Sequence, residues 1–134
     1  MMVFRMLVLF VISTVCIGCG EKNLSQTTPE GATPAIAQTL SIIQDSTYGG
    51  TKFDSVKDLS QFELSYPEAA TAIKNGNVVV IWGRKILDNS KDPKIIAYES
   101  NPGSDKVWAV KEDGKLHHVT AEEVSKLPKS DKNK

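Results

Sequence analysis

The two cysteines of this 134-residue chain lie close to its N-terminus, and this position restricts how the rest of the chain can be stabilised. Cys16 and Cys19 close the N-terminal segment, and no cysteine occurs from residue 20 onward. A disulfide framework and a cysteine metal site are therefore excluded for the remainder of the chain. That remainder has the length of one domain, so we expect an ordinary hydrophobic core.

The first residues have the pattern of an export signal. Arg5 precedes an apolar run at 6–17, and Gly18, Cys19 and Gly20 follow it. A helix that spans a bilayer needs about 20 apolar residues, and this run is shorter. A positive charge, a short apolar run and small residues in this order are typical of a signal peptide.

The sequence Cys16-Ile17-Gly18-Cys19 resembles the bacterial lipobox, with Cys16 where the motif usually has Leu. The resemblance implies that the Cys19 thiol carries a diacylglycerol and that cleavage frees its amine for a further acyl chain. Two or more chains hold a protein on a membrane far better than one, because each buried methylene contributes about 0.8 kcal/mol. Secretion after ordinary cleavage and an uncleaved anchor are the alternatives. No Asp stands directly after Cys19, so no inner-membrane retention signal is evident, and in an organism with two membranes we expect an anchor in the outer membrane that faces the periplasm.

Composition divides the chain into four parts. We predict a signal peptide at 1–18, a lipidated Cys19 with a disordered tether up to residue 34, a globular domain at 35–128, and a disordered tail at 129–134. The tether is rich in Gly, Pro, Ser and Thr, and the tail is rich in lysine. These compositions cannot form a core. The formal net charge is zero, which does not favour nucleic acid as a partner.

Three helices are predicted in the globular part. Apolar residues at helical spacing indicate a helix at 35–46, with Pro34 in its first turn. Ser65 and Glu68 form a capping box that opens a helix at 66–75, ended by Gly76. A second capping box, Thr120 with Glu123, opens a short helix that runs to Leu127. A short helical turn is also expected at 56–62.

Runs of β-branched and aromatic residues predict strands at 78–82, 95–98 and 107–110, and the hairpin signal after the third places a fourth at 116–119. Asp113-Gly114 predicts a type I′ hairpin between the last two. Helices followed by closely spaced strands indicate an α+β fold, in which the N-terminal helices pack on a small antiparallel sheet of three or four strands. Trp82, Tyr98 and Trp108 are the expected large core residues.

His117 and His118 are the only histidines and are adjacent on a predicted strand. They point to opposite faces and are poorly placed to share a metal ion. Catalysis by either would need a nucleophile and a carboxylate, and the spacing identifies neither. We therefore predict no catalytic residue, no metal ligand and no cofactor.

Other polar residues have structural explanations. Glu122 and Glu123 suit the start of a helix. The loop at 87–93 has the composition of a calcium loop but lacks its Gly and its bidentate Glu. Arg84 and Lys85 follow a predicted strand, where they can bind an anion or remain solvated. The chain has no phosphate-binding loop, no G-x-S-x-G motif and no H-E-x-x-H motif.

The globular part resembles small exported or lipid-anchored proteins of planctomycete-type bacteria, which have no established activity. The matching segments are 56–59, Tyr66-Pro67-Glu68, 78–83, Ala97-Tyr98-Glu99, Asp113-Gly114 and 120–123. The order of elements is also similar to the soluble part of type II secretion pseudopilins. A pseudopilin keeps an apolar N-terminal helix with a glutamate near its start, and the apolar segment of this chain has none. The resemblance implies a fold but no catalytic residue.

Three functions are compatible with these observations. The first is a non-enzymatic, lipid-anchored envelope protein that binds another envelope protein or a wall polymer. The second is a small periplasmic enzyme or ligand-binding protein that uses His117 or His118. The third is a pseudopilin-like subunit of a secretion or surface assembly.

Overall fold

The computed structural model describes residues 28–101 and 104–128, which form an α+β fold in which helices pack on a four-stranded antiparallel sheet. The predicted fold class is confirmed. The predicted signal peptide, Cys19, most of the predicted tether and the predicted tail lie outside the described residues.

Helix α1 spans Pro34–Gly49 and so extends beyond the predicted 35–46. Pro34 occupies its first turn, as predicted, and the Thr33 side chain accepts a hydrogen bond from the Ile36 amide. Gly50 follows the last helical residue and caps the helix, and its φ of 71° suits a residue without a Cβ. Glu99 also accepts hydrogen bonds from the Thr33 amide and hydroxyl, so the folded part begins slightly before the predicted boundary at residue 35.

A 3₁₀ helix at Val56–Gln61 corresponds to the predicted helical turn, and helix α2 spans Pro67–Asn75. The prediction that Ser65 caps α2 is wrong. The residue at the cap is Tyr66, which makes no capping bond with its side chain. The Gln38 side-chain oxygen on α1 accepts instead from the Glu68 and Ala69 amides, at 3.0 and 3.1 Å. Two free backbone amides at the start of α2 are thus hydrogen-bonded by a side chain of α1.

The sheet has the order β1-β2-β3-β4, and all neighbours are antiparallel. Strand β1 is Val78–Val80, β2 is Ile95–Glu99, β3 is Lys106–Lys111 and β4 is Leu116–Thr120. Strand β1 is shorter than predicted, and Trp82 lies beyond it.

The hairpin between β3 and β4 lies where Asp113-Gly114 predicted it, but its type differs. Gly114 has a φ of 71°, and no described non-glycine residue has a positive φ, so Asp113 does not adopt the geometry that type I′ requires. The Gly114 amide donates to the Lys111 carbonyl, and the Lys111 amide donates to the Lys115 carbonyl. These bonds indicate a three-residue loop with a type I turn and a glycine bulge.

The main core lies between the helices and one face of the sheet. Its fully buried side chains are mostly aliphatic and include Ile36, Ile42, Leu59, Ile96 and Val110. The predicted core residues Trp82, Tyr98 and Trp108 are only half-buried. Branched aliphatic side chains make up most of the buried interior, and the indoles of Trp82 and Trp108 pack against its margin.

A second, smaller cluster lies on the other face of the sheet, since Val107 and Ala109 alternate with the residues that face α1. Half-buried Val124 and Leu127 pack against it. Val124 belongs to α3, Ala121–Ser125, which ends before the predicted Leu127. The predicted capping box of Thr120 and Glu123 is confirmed.

Candidate functional site

A surface groove lies where the C-terminal half of α1 meets the segment between the 3₁₀ helix and α2. Its volume is about 430 Å³. We call it the tyrosine groove, and its lining includes Asp45, Tyr48, Thr51, Gln61, Ser65 and Tyr66. It combines aromatic rings with hydrogen-bonding groups, the usual composition of a small-molecule site.

Tyr66 is fixed on one side of the groove. Its hydroxyl donates to Asp45 Oδ2 at 2.6 Å, and its ring centroid lies 6.5 Å from that of Phe62. The hydrogen bond to the Asp45 carboxylate raises the pKa of Tyr66 to about 12, since it favours the neutral phenol. Tyr66 is therefore a neutral, oriented ring near neutral pH.

Tyr48 is the exposed wall of the groove, with 63% of its surface accessible. Its hydroxyl donates to Asp88 Oδ1 at 2.6 Å, and this bond raises the pKa of Tyr48. Asp88 belongs to the loop with the composition of a calcium loop, and it binds Tyr48 instead. Within residues 28–101 and 104–128, no group of three or more His, Cys, Asp or Glu is placed to hold a metal ion.

The base of the groove is held by the segment that precedes α2. Phe62 is buried, and its ring packs edge-on against Phe53, with centroids 5.6 Å apart. The Gln61 amide nitrogen donates to the Lys52 carbonyl at 2.6 Å, which ties this segment to the chain after α1. The groove therefore has ordered walls before any ligand arrives.

The histidines lie elsewhere. His117 Nε2 is 2.7 Å from Asp113 Oδ2, and Asp113 Oδ1 also accepts from the Lys115 amide, so this carboxylate braces the hairpin. His118 lies against the Trp108 ring, with centroids 3.8 Å apart. No histidine lines the tyrosine groove.

Of the two cations predicted to follow the first strand, Arg84 makes a contact within the domain. Arg84 donates from Nη1 to the Ile95 carbonyl at 2.7 Å, so its guanidinium holds the chain beside β2. Lys85 is exposed. Arg84 therefore has a structural role in this part of the fold.

A second groove of about 330 Å³ lies between α1 and the β3–β4 hairpin. Leu40, Leu116 and Lys115 contribute to it, together with Thr28 and Pro29 at the start of the described chain. It lies next to the point where the preceding residues must enter the domain.

Cys19, the predicted lipidation site, lies outside the described residues. Of the helices in the described ranges, none is both long enough and apolar enough to cross a membrane.

Sequence reasoning did not find the tyrosine groove. Its walls come from segments about 20 residues apart; Tyr66 lies in a stretch whose pattern indicates only the start of a helix, and Tyr48 lies in no recognisable motif. The pair Tyr48 and Tyr66 can be recognised only after α1 and the segment before α2 are placed side by side. Comparison with known protein families, with characterised proteins and with solved structures gives no match to this chain.

Proposed function

We propose that this protein is a lipid-anchored protein of the cell envelope and that its folded domain is a non-enzymatic binding module. The observation that carries the binding role is the tyrosine groove, whose two rings are held by carboxylates before a ligand arrives. Preorganised side chains lose little entropy on binding.

The anchoring role depends on Cys19 and on the length of chain that follows it. Residues 20–27 separate Cys19 from Thr28, and at about 3.5 Å per residue they can span at most about 30 Å. A domain on such a tether stays near the membrane yet can reach another envelope protein or a wall polymer. Nucleic acid is not proposed as a partner.

Fractionation of cells that express the full chain tests the anchor. We expect the wild-type protein in the membrane fraction and the Cys19→Ala protein in the soluble fraction, because that variant lacks the thiol that would carry the diacylglyceryl thioether. Cys16→Leu is the matched control, since it also removes a cysteine but supplies the usual lipobox residue, and we expect it to remain in the membrane. A Cys19→Ala protein that has lost residues 1–18 and still stays in the membrane fraction would refute the lipid anchor.

A small enzyme is the second candidate, and the contact between His117 and Asp113 favours it. A carboxylate that orients an imidazole is part of many general-base sites. Assays with a panel of ester and amide substrates test this candidate. Turnover by the wild type that is lost in His117→Gln, with an unchanged melting temperature, would replace the binding module by an enzyme.

A further inference from the structure

We propose that the tyrosine groove binds an uncharged oligosaccharide. This inference rests on the proposed binding role and assigns a ligand class to it.

A sugar ring has two kinds of surface, apolar C–H faces and a rim of hydroxyl groups. Tyr48 and Tyr66 offer aromatic surface for the C–H faces, and tyrosine does so at low entropic cost because it has few rotatable bonds. The contacts with Asp88 and Asp45 reduce that cost further, since both hydroxyls are already held.

The polar groups of the groove suit hydroxyl partners. The Asp45 carboxylate has more acceptor capacity than its bond with Tyr66 uses, because an ionised carboxylate has about four lone-pair sites. Thr51 and Ser65 add hydroxyls, which both donate and accept, as sugar hydroxyls do. The groove can therefore contact both the apolar C–H faces and the hydroxyl groups of a saccharide.

The charge of the groove disfavours anionic ligands. Among its described lining residues there is a carboxylate, Asp45, and no lysine or arginine. Asp88 lies beside Tyr48 and adds a second negative charge. A phosphate group, a nucleic acid or an acidic polymer would meet repulsion with no compensating cation.

The backbone around the groove disfavours binding of a peptide by strand addition. Extended peptides commonly bind by pairing with the edge of a sheet, whereas this groove is built from α1, the 3₁₀ helix and the turn before α2. The lining includes hydroxyl, amide and carboxylate side chains, which suits a ligand whose polar groups are hydroxyls.

Titration of the full chain in detergent micelles, followed by nuclear magnetic resonance, tests the inference. Chitotetraose and cellotetraose are the probes, because they share a linkage and differ in the acetamido group of wall glycans. Tetra-alanine and inorganic phosphate are the comparison ligands. We expect at least one saccharide to shift the resonances of Tyr48, Thr51 and Tyr66, and neither comparison ligand to do so. A response to chitotetraose alone would show that the groove recognises the acetamido group and would identify an amino-sugar glycan as the ligand.

Variants separate the groove from the rest of the surface. Tyr48→Ala should weaken saccharide binding at least tenfold, whereas Tyr48→Phe keeps the ring and should weaken it less than threefold. Leu64→Ala is the control, because Leu64 is 98% exposed and does not line the groove. Melting temperatures verify that each variant folds.

Several results would overturn the inference. They are the absence of shifts with either saccharide, saccharide binding that Tyr48→Ala leaves unchanged, and binding of tetra-alanine or phosphate that depends on Tyr48. None of these results alters the fractionation of Cys19→Ala, so failure of the ligand class can be distinguished from failure of the lipid anchor.

Discussion

The Tyr66 hydroxyl donates a hydrogen bond to Asp45 Oδ2 at 2.6 Å, and this contact joins the residue before α2 to the C-terminal half of α1. It also sets one wall of the tyrosine groove. One hydrogen bond therefore contributes both to helix packing and to the shape of the candidate site, which allows its role to be tested through stability.

Tyr66→Phe should lower the free energy of unfolding by about 0.5–1 kcal/mol at pH 8, because it removes a hydrogen bond to a charged group at a partly exposed site. The pKa of Tyr66 is raised from 10.0 to about 12 in the folded protein. The contribution is thus complete below pH 10 and is lost as the pH rises towards 12.

Urea denaturation of wild type and Tyr66→Phe at pH 8 and pH 11 measures this effect. The difference in unfolding free energy should be smaller at pH 11. The comparison with the variant removes the contributions of the other tyrosines and of the lysines. An equal difference at both pH values would show that Asp45 does not hold the phenol in its neutral form.

Gln38→Ala should destabilise the protein by about 1 kcal/mol, the usual cost of losing a helix cap. The variant leaves the Glu68 and Ala69 amides without the acceptor that α1 supplies. Ser65→Ala is the matched control, because Ser65 is exposed and does not cap α2, and it should be near neutral. If Ser65→Ala costs as much as Gln38→Ala, the local capping box predicted from sequence is the true cap. Thermal or chemical denaturation provides the measurement.

The cap of α2 illustrates why part of the fold could not be predicted. Ser65 and Glu68 have the spacing of a capping box, yet the acceptor comes from Gln38, about 30 residues earlier. Only the packing of α1 beside α2 brings it there. Local signals succeed where the partners are local, as for Thr120 and Glu123 at the start of α3.

The strands and the core also differ in how far the sequence predicts them. Runs of β-branched and aromatic residues located β1, β2 and β3, because strand propensity and burial agree there, and the Asp113-Gly114 turn located β4. The size of Trp82 and Trp108 suggested core positions, but the space between the helices and the sheet is filled by Ile36, Ile42 and other aliphatic residues. Which side chains fit is decided by the distance between layers, and a single sequence does not contain that distance.

Gly114→Ala should destabilise the protein by about 1–2 kcal/mol, since an L-residue is strained at a φ of 71°. A Cβ there would also lie 3.4 Å from the Ile86 side chain. Gly49→Ala is the matched control, because a Cβ at Gly49 meets no atom within 4 Å and the residue is helical. We expect this control to be neutral or to stabilise the protein by up to about 1 kcal/mol, because alanine has the higher helix propensity.

Equal effects of Gly114→Ala and Gly49→Ala on the denaturation midpoint would contradict the glycine bulge in the β3–β4 hairpin. Asp113→Gly distinguishes the two turn types in a second way. A type I′ turn would gain from glycine at that position, whereas the bulged turn keeps Asp113 at negative φ and loses its contacts with His117 and Lys115. We therefore expect Asp113→Gly to destabilise the hairpin.

The central claim, a lipid anchor on Cys19, is tested most directly by the mass of the N-terminal peptide of the protein extracted from membranes. We predict a peptide that begins at Cys19, lacks residues 1–18 and carries a diacylglyceryl group, with or without an amide-linked acyl chain. An unmodified peptide that begins at Cys19 or later, or one that retains Met1, would contradict the lipid anchor.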